Sequence, residues 1–464
     1  MKVLKFGGTS VASPESISNV LSIVQEQEQC TVVVSALGGI TDLLIDAMEK
    51  AASQDSSYPS LFKLIEERHL ELIKSFIPIN KQSGLISFVK VEINRLETLL
   101  DGVAMLQEIT PKTTDKVSSF GERLSAKIIE AIFLENKLDT RLLDGHDLIQ
   151  TAQQNGRLII NWEKTKENVT RLYNSSSAKI TLVPGFVARN EKGENTTLGR
   201  GGSDFTASIL ANILNASSIE IWTDVSGMYS AHPKIVAQAK PIERLSYLEA
   251  MELSHFGAKV IYPPTLQPLV EKNIPAWIKN TFAKEDKGTL ITSGSEAPSS
   301  EVVKGMSHID NVSLVTLEGS GMVGIPGFSK RLFEVLSIEK INVIMIVQAS
   351  SEHSICIGLR TEDALLAKQI IDEEFAFEIS LKKVDPAKVE NNMVNVAMVG
   401  DNMRNHQGIS GKMFSTLGAN NVNIRAIAQG ASQKNISAVI DSKDAKKGLN
   451  TLHEQFFEEK IKQL

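Results

Sequence analysis

Met1-Lys-Val-Leu-Lys-Phe-Gly-Gly-Thr-Ser10 opens the chain with a short apolar run, Val3–Phe6, that ends in a glycine pair and two hydroxyls. A β-run closing on glycines can present backbone N–H groups to an anion, because no Cβ stands between them and the ligand. Lys5 precedes the turn, where its ammonium can neutralise a phosphate. No Walker-type G-x-x-x-x-G-K-[ST] order occurs anywhere in the chain. Alone, the stretch also fits a surface strand ending in a Gly-Gly turn. The sequence around it decides between the two.

Further short apolar runs follow at Thr31–Ser35, Ile180–Pro184, Glu220–Thr223 and Ala276–Lys279, alternating with helical patterns. That alternation predicts an α/β layer structure whose sheet is covered on both faces. Leu61, Ile65, Leu72 and Phe76 recur at helical spacing, as do Leu96, Leu99, Leu100, Val103 and Leu106. Both segments read as packing helices or as a lid beside a site. Ser293-Gly-Ser-Glu-Ala-Pro-Ser-Ser300 is small, polar and Pro-containing, the composition of a linker.

Beyond it the chain repeats itself. Ile341-Asn-Val-Ile-Met-Ile-Val-Gln348 resembles Val422-Asn-Ile-Arg-Ala-Ile-Ala-Gln429, 81 positions later, and the same offset pairs Gly319 with Gly400, Gly327 with Gly408, Ser329 with Ser410, Phe333 with Phe414 and Leu336 with Leu417. Each copy reads as strand, Gly-containing loop, helix and two strands, a ferredoxin-like β-α-β-β pattern. Gly319-Ser-Gly-Met-Val-Gly324 matches a dinucleotide fingerprint, but Pro326-Gly327 interrupts the helix it requires and the partner copy lacks two of its glycines.

Composition narrows the function. The 464 residues are enough for two or three domains, with 42% hydrophobic and 22% charged residues. A net charge of −6 offers no basic field to nucleic acid or to an anionic membrane. No apolar run reaches the roughly 18 residues of a membrane span, and the N-terminus reads as a strand instead of a signal peptide. Cys30 and Cys356 stand far apart without a Cys-x-x-Cys or histidine neighbour, so both read as buried thiols of a reducing compartment, the cytoplasm. The eight histidines show no ligand spacing.

Four further stretches carry chemistry. In Thr196-Thr-Leu-Gly-Arg-Gly-Gly-Ser-Asp204, three glycines surround Arg200 and a helix-like run (Phe205–Leu214) follows. A Gly-rich turn opening a helix offers unpaired N–H groups and the positive dipole end to an anion. Ser203 can bond an oxyanion, Asp204 can hold Mg²⁺ or orient a group, and Arg200 can pair with a carboxylate or phosphate; the plainer reading is a capped helix entry. Ile221-Trp-Thr-Asp-Val-Ser-Gly-Met-Tyr229 is a strand running into a turn, which places Thr223, Asp224 and Tyr229 where sheet ligands bind. Phe256-Gly-Ala-Lys-Val260 sets Lys259 beside a glycine. Ser35-Ala-Leu-Gly-Gly-Ile-Thr41 is another strand-to-glycine turn, and Ser119-Phe-Gly-Glu122 puts a carboxylate after a glycine at the expected start of a helix.

Taken in order, Lys5-Phe-Gly-Gly-Thr-Ser10, Ser35-Ala…Thr41, Ser119-Phe-Gly-Glu122, Thr197-Leu-Gly-Arg-Gly-Gly-Ser-Asp204, Trp222-Thr-Asp224 and Phe256-Gly-Ala-Lys259 resemble the motif series of the aspartokinases, over nearly the whole chain. The repeat resembles the paired ACT regulatory modules of that family. The resemblance implies a three-layer α/β/α sandwich of the amino acid kinase type (1–292), a linker (293–305) and two ferredoxin-like α+β ACT modules (306–386 and 387–464) that can exchange strands. It implies ATP- and Mg²⁺-dependent phosphorylation of the L-aspartate β-carboxylate, the first step toward lysine, threonine and methionine.

Roles carry over position by position. Lys5 and Asp204 form the catalytic pair. Ser35, Thr41, Glu122, Arg200 and Ser203 take aspartate. Gly7, Gly8, Gly201, Gly202, Thr223, Asp224, Tyr229, Lys234 and Lys259 take the nucleotide. Asn342, Gln348, Asn423 and Gln429 take an amino-acid effector, threonine before lysine, in a homodimer or larger homo-oligomer. Two departures stand out: His232-Pro-Lys234 replaces the family's Asp-Pro-Arg, and Tyr262-Pro263 its His-Pro. Lys234 keeps a cation without the planar fork of arginine. Ile427-Ala-Gln-Gly430 most resembles the kinase half of bifunctional aspartokinase–homoserine dehydrogenases; the chain stops just after the second module, as a shortened chain or a monofunctional relative would. Other readings are a kinase for another amino acid and a kinase-like amino-acid sensor without turnover.

Overall fold

The computed structural model describes residues 1–154, 157–175, 177–258, 260–294, 302–348, 352–430 and 432–458. Of the expected linker 293–305, residues 295–301 lie outside them. The chain divides into two compact units, Met1–Met228 with Glu243–Tyr247 and Val260–Ala297, and Tyr229–Ile242 with Leu248–Lys259 and Pro298–Leu464.

In the first unit the strands are, in chain order, β1 (Lys2–Phe6), β2 (Cys30–Val34), β3 (Thr140–Leu142), β4 (Gln150–Gln154), β5 (Arg157–Ile160) and β6 (Ile180–Pro184). They continue with β7 (Val187–Asn190), β8 (Asn195–Thr197), β9 (Ser218–Thr223), β10 (Arg244–Ser246), β11 (Ala276–Asn280) and β12 (Thr289–Thr292). The main sheet runs β10-β12-β11-β9-β1-β2-β6-β3. Its centre, β11-β9-β1-β2-β6, is parallel throughout. Central strands buried on both faces must be apolar in both alternating sets, and Cys30-Thr-Val-Val-Val34 is buried at every position. Leu4, Phe6, Val32, Val34 and Leu182 pack into one core with the helices Pro14–Gln25, Ile40–Ala52, Tyr58–Phe76, Ser83–Leu106 and Pro111–Glu135. The helix Gly202–Ile213 lies against β1, β2 and β9. The result is the three-layer α/β/α sandwich. A small sheet, β5-β4-β7-β8, adjoins it.

The second unit is built on one six-stranded sheet, β14-β15-β13-β16-β18-β17. Its strands are β13 (Gly305–Glu318), β14 (Val343–Gln348), β15 (Ser354–Arg360), β16 (Lys388–Val399), β17 (Ile424–Gln429) and β18 (Asn435–Asp441). The 81-residue offset superimposes β14 on β17 and β15 on β18, and it repeats the same irregularity, between Val343 and Met345 and between Ile424 and Ala426. The two long strands are shared. Val312–Glu318 of β13 pairs with β15 of the first copy, while Gly305–Ile309 pairs with Val399–Asn395 of the second. The register shift between Ile309 and Val312 is where β13 passes from one copy to the other. Each copy thus receives its fourth strand from its neighbour.

The segments 229–242 and 248–259 fold with this unit. Ala231 and Val236 enter a core with Val394, Val396 and Met398. The Ser230 hydroxyl contacts His453 Nε2 at 2.9 Å, and the Ser307 hydroxyl donates to the Phe256 carbonyl at 2.8 Å. After Gly319 a 3₁₀ turn, Ser320–Met322, leads to a helix that begins only at Phe328, past Pro326-Gly327, so the fingerprint-like glycines open no dinucleotide-type helix. Of the two cysteines read as buried, Cys30 is buried but Cys356 is only half-buried, because it lies in β15 near the sheet's edge. Among the described residues, no helix is long and apolar enough to cross a membrane.

Candidate active site

The carboxyl ends of β9, β1, β2 and β6 lie side by side, and the chain leaves each through a turn: Asp224, Gly7-Gly8, Ser35–Gly39 and Gly185. Such ends gather ligands because the sheet stops there while its helices continue. The Gly7 N–H donates to the Trp222 carbonyl at 3.1 Å and the Gly38 N–H to the Gly8 carbonyl at 3.0 Å. These bonds lock the first two glycine turns together. A Cβ on Gly8 would meet the Ala36 carbonyl and the Gly38 Cα at 3.2–3.3 Å, so a side chain there would push the two turns apart by a few tenths of an ångström.

Lys5 sits on β1, buried, with Nζ 2.6 Å from Asp204 Oδ1. Asp204 is the third residue of the helix Gly202–Ile213, whose N-cap Gly201 holds φ +69°. A buried ammonium with one carboxylate partner retains donors for an arriving anion. Ser203, also buried, packs against Gly185, where a Cβ would fall 2.6 Å from the Ser203 Cβ. Arg200 is exposed in the preceding turn.

Glu122 lies in the middle of the 25-residue helix Pro111–Glu135, not in its first turn as expected. The helix begins with Thr110, whose hydroxyl caps the Thr113 N–H, and Pro111. Its polar opening residues hid it from an apolar periodicity. Gly121 lets this helix approach the Ser35–Gly39 turn, for a Cβ would lie 2.7 Å from that of Ala36. Glu122 is buried and its Oε2 has no hydrogen-bond partner. Burial pushes its carboxyl up to about 7, against a smaller opposing effect of the Ala36 backbone. A carboxylate so placed gains strongly from a cation.

Ser35 closes β2, accepting the Ser125 hydroxyl on its carbonyl at 2.7 Å, and Thr41 is the second residue of the helix Ile40–Ala52. Thr223, the last residue of β9, donates its hydroxyl to Asp224 Oδ1 at 3.1 Å. Tyr229 and Lys234 belong to the second unit, where Tyr229 bridges Pro241 and the Lys234 N–H donates to His232 Nδ1 at 3.2 Å. Lys259 lies outside the described residues. In the second unit Gln348 lines a cavity of about 300 Å³ with Phe328, Ser329 and Glu352. Asn342, Asn423 and Gln429 are exposed.

Sequence reasoning missed three supports. Arg68 bonds the Gly38 and Ala12 carbonyls at 2.7 and 3.3 Å, pinning the glycine turn. Ser125 holds Ser35. Asp115, its carboxyl raised by burial, accepts the Thr197 hydroxyl at 2.6 Å beside the Gly-rich turn. Only Ser125 carried a signal, standing one helical turn after Glu122.

Residues 1–280 match the amino acid kinase family, and residues 315–375 and 396–456 match the ACT domain. The bifunctional aspartokinase/homoserine dehydrogenase of Haemophilus influenzae is 35% identical over 468 residues, covering 99% of this chain and 57% of that protein. The chain therefore spans little more than half of that relative's length. Aspartokinase 1, chloroplastic, of Arabidopsis thaliana is 32% identical, covering 98% of this chain and 80% of that one. The crystal structure of E. coli aspartokinase III with aspartate and ADP (R-state) aligns at a TM-score of 0.83 with 28% identity, covering 99% and 100% of the two chains. The same protein with lysine and aspartate (T-state) aligns at 0.79 with 29% identity and the same coverage. Within the amino acid kinase family, the chain belongs to the aspartokinases.

Proposed function

We propose that this protein transfers the γ-phosphoryl group of ATP to the β-carboxylate of L-aspartate, giving 4-phospho-L-aspartate and ADP, in the cytoplasm. The observation that carries the reading is the buried Lys5–Asp204 pair at the strand ends, joined in the same unit by the buried, half-satisfied Glu122. The E. coli neighbour holding aspartate and ADP supports it.

The accepting carboxylate is ionised at neutral pH, so one of its oxygens attacks phosphorus without a general base, the bond to the β–γ bridging oxygen breaks, and ADP leaves with that electron pair. Catalysis is then positioning and charge neutralisation. Lys5 offsets charge on the transferring group, and Asp204 orients Lys5. Gly8 and Gly201 offer backbone N–H groups to phosphates, Gly7 and Gly202, whose N–H groups are held by the Trp222 and Gly199 carbonyls, let the phosphates approach the backbone closely, and Thr223, Asp224, Tyr229, Lys234 and Lys259 serve the rest of the nucleotide. Glu122 takes the aspartate ammonium, Arg200 its α-carboxylate, and Ser35, Thr41 and Ser203 the remaining oxygens.

Among the described residues no three His, Cys, Asp or Glu side chains group to cage a metal. One carboxylate plus nucleotide phosphates is the usual setting of Mg²⁺, and Asp204 would hold it. Bound there, the ion would neutralise phosphate charge.

Regulation belongs to the second unit. An amino-acid effector binds through Asn342, Gln348, Asn423 and Gln429, threonine by the resemblance of the Gln positions, in a homo-oligomer joined through the ACT modules. Lysine, present in the E. coli T-state neighbour, is the competing effector.

The test is turnover of ATP, Mg²⁺ and L-aspartate with hydroxylamine as trap, with and without threonine or lysine. Aspartate-dependent hydroxamate is expected, suppressed by threonine. MgATP binding without hydroxamate would replace the reading with a sensing role.

A further inference from the structure

The Gly-rich turn before Ser203 is held from both sides by aromatic rings. On one side a Cβ on Gly202 would meet Phe186 Cδ2 at 2.7 Å and the Leu198 Cβ at 3.1 Å. Phe186 is itself fixed: its backbone has φ +69°, and its N–H donates to the Thr206 hydroxyl at 3.0 Å. On the other side a Cβ on Gly201 would fall 2.5 Å from the Tyr262 Cβ and 3.1 Å from its Cγ and Cδ1. The Tyr262 ring therefore lies directly on the glycine that caps the helix Gly202–Ile213. Its backbone is anchored too, since its carbonyl accepts both the N–H and the hydroxyl of Thr265, at 2.9 and 2.6 Å, and Pro263-Pro264 stiffen the step between them.

Glycine makes this turn adjustable, and only what packs against it limits its conformations. Gly201 occupies the left-handed region; the Gly202 N–H donates to the Gly199 carbonyl at 2.9 Å and closes the turn, which leaves the Ser203 N–H at the helix start for a ligand. Without a neighbour the turn would sample other arrangements, and that N–H would have to be placed again at each binding event. Tyr262 is 39% exposed, and its hydroxyl bonds no group among the described residues. Its contribution is the ring face.

We propose that Tyr262 is a positioning residue that pre-orders the Gly199–Gly202 turn for phosphate, working through Gly201 without touching the reacting atoms. This rests on the assignment of Gly201 and Gly202 to the nucleotide phosphates. The ring, and not the hydroxyl, carries the effect, so Tyr262→Phe is the conservative variant and Tyr262→Ala the disruptive one.

The experiment measures MgATP and MgADP binding by isothermal titration on the full chain, alongside steady-state KM and kcat, for wild type, Tyr262→Phe and Tyr262→Ala. Tyr262→Ala is expected to weaken nucleotide binding and raise KM for ATP about tenfold, with kcat within about threefold, the scale of a misplaced positioning contact. Tyr262→Phe is expected to match wild type within about twofold on the same scale. Thermal melting of each variant separates loss of the ring from loss of the fold. Unchanged nucleotide binding in Tyr262→Ala would overturn the proposal. So would a Tyr262→Phe defect equal to that of Tyr262→Ala, which would transfer the role to the hydroxyl. Because binding is read without turnover, absence of aspartate phosphorylation would remove the proposed reaction and leave this test intact.

Discussion

The two units treat their polar residues in opposite ways. At the strand ends of the first unit, Lys5, Glu122, Ser203 and Asp204 are all buried, each on a strand or helix packed into the sandwich. In the second unit Asn342, Gln348, Asn423 and Gln429 are all exposed. Buried charge is costly unless something compensates it, so the first group is poised for ligands that bring the missing partners. The second group is inexpensive to maintain, and of its four members Gln348 lines a small cavity. On the proposed reading, one unit is pre-organised for chemistry, while the other becomes a binding site only as an effector and a second copy cover it.

The largest expected effect tests the buried side. Lys5→Met should lower kcat about 10²–10³-fold, the usual consequence of losing a principal charge-stabilising donor. Hydroxamate-trapped initial rates measure this. Since Asp204 would be left buried and unpaired, the double variant Lys5→Met/Asp204→Asn is needed to separate lost catalysis from lost stability. A single variant with wild-type kcat would end the claim that burial here serves catalysis.

Gly121 tests how the helix reaches the turn. Gly121→Ala places a methyl 2.7 Å from the Ala36 Cβ and 3.3 Å from Ile40 Cγ2. Helix and turn must separate, costing about 1–3 kcal/mol of stability by overpacking. Displacing Glu122 from Ser35 should cost up to about a hundredfold in kcat/KM for aspartate. Denaturant melts and aspartate saturation curves report the two parts independently. Stability lost with kcat/KM intact would show that this packing supports the fold alone.

The same contrast explains what the sequence could and could not reveal. The central strands were legible because each is a local apolar run, closed by a glycine-containing turn after β1, β2 and β6, a signal that depends on nothing distant. The repeat was legible because one offset aligns glycines, apolar positions and glutamines together. Glu122 was misplaced because Pro111-Lys-Thr-Thr-Asp-Lys116 carries no apolar periodicity, although Thr110-Pro111 is a capping signal. β4, Gln150-Thr-Ala-Gln-Gln154, has no strand-like composition and forms through its partners β5 and β7. The attachment of 229–242 to the second unit depends on contacts with residues more than 150 positions away, such as Val394 and His453, which no local pattern encodes.

Glu122 gives the contrast a pH dependence. Its carboxyl is pushed up to about 7 by burial, so in the free protein it is largely neutral below that pH and unable to pair with an ammonium. The kcat/KM for aspartate should therefore rise about tenfold between pH 6 and 8, since this parameter follows free-enzyme ionisation. The sign for stability is opposite. A carboxyl raised in the folded state binds protons more tightly there than in the unfolded chain, so stability should fall as pH climbs from the ordinary carboxylate value through about 7. Aspartate should offset that fall by supplying the cation. Glu122→Gln should flatten both profiles, and a kcat/KM profile unchanged by that substitution would assign the ammonium to another group.

The smallest expected effect separates the two copies of the repeat. Their backbones match, yet the residue that lines the cavity with Gln348 in the first copy is Glu352, whereas its counterpart 81 residues on is Gln433. Glu352 accepts the Gly324 N–H at 3.1 Å and lines the cavity that Gln348 enters. A carboxylate there can take the effector's ammonium through a charge-assisted bond, whereas an amide offers only the weaker neutral one. The first copy should hence supply most of the effector affinity. Gln348→Ala is expected to raise the threonine concentration for half-inhibition about tenfold, within the usual range of allosteric coupling. Gln429→Ala should raise it no more than about threefold on the same scale, and neither change should alter the uninhibited rate. Inhibition curves for the two variants, repeated with lysine, decide the matter. Equal shifts would mean that the copies contribute alike despite Glu352, and a larger shift from Gln429→Ala would place the effector in the second copy.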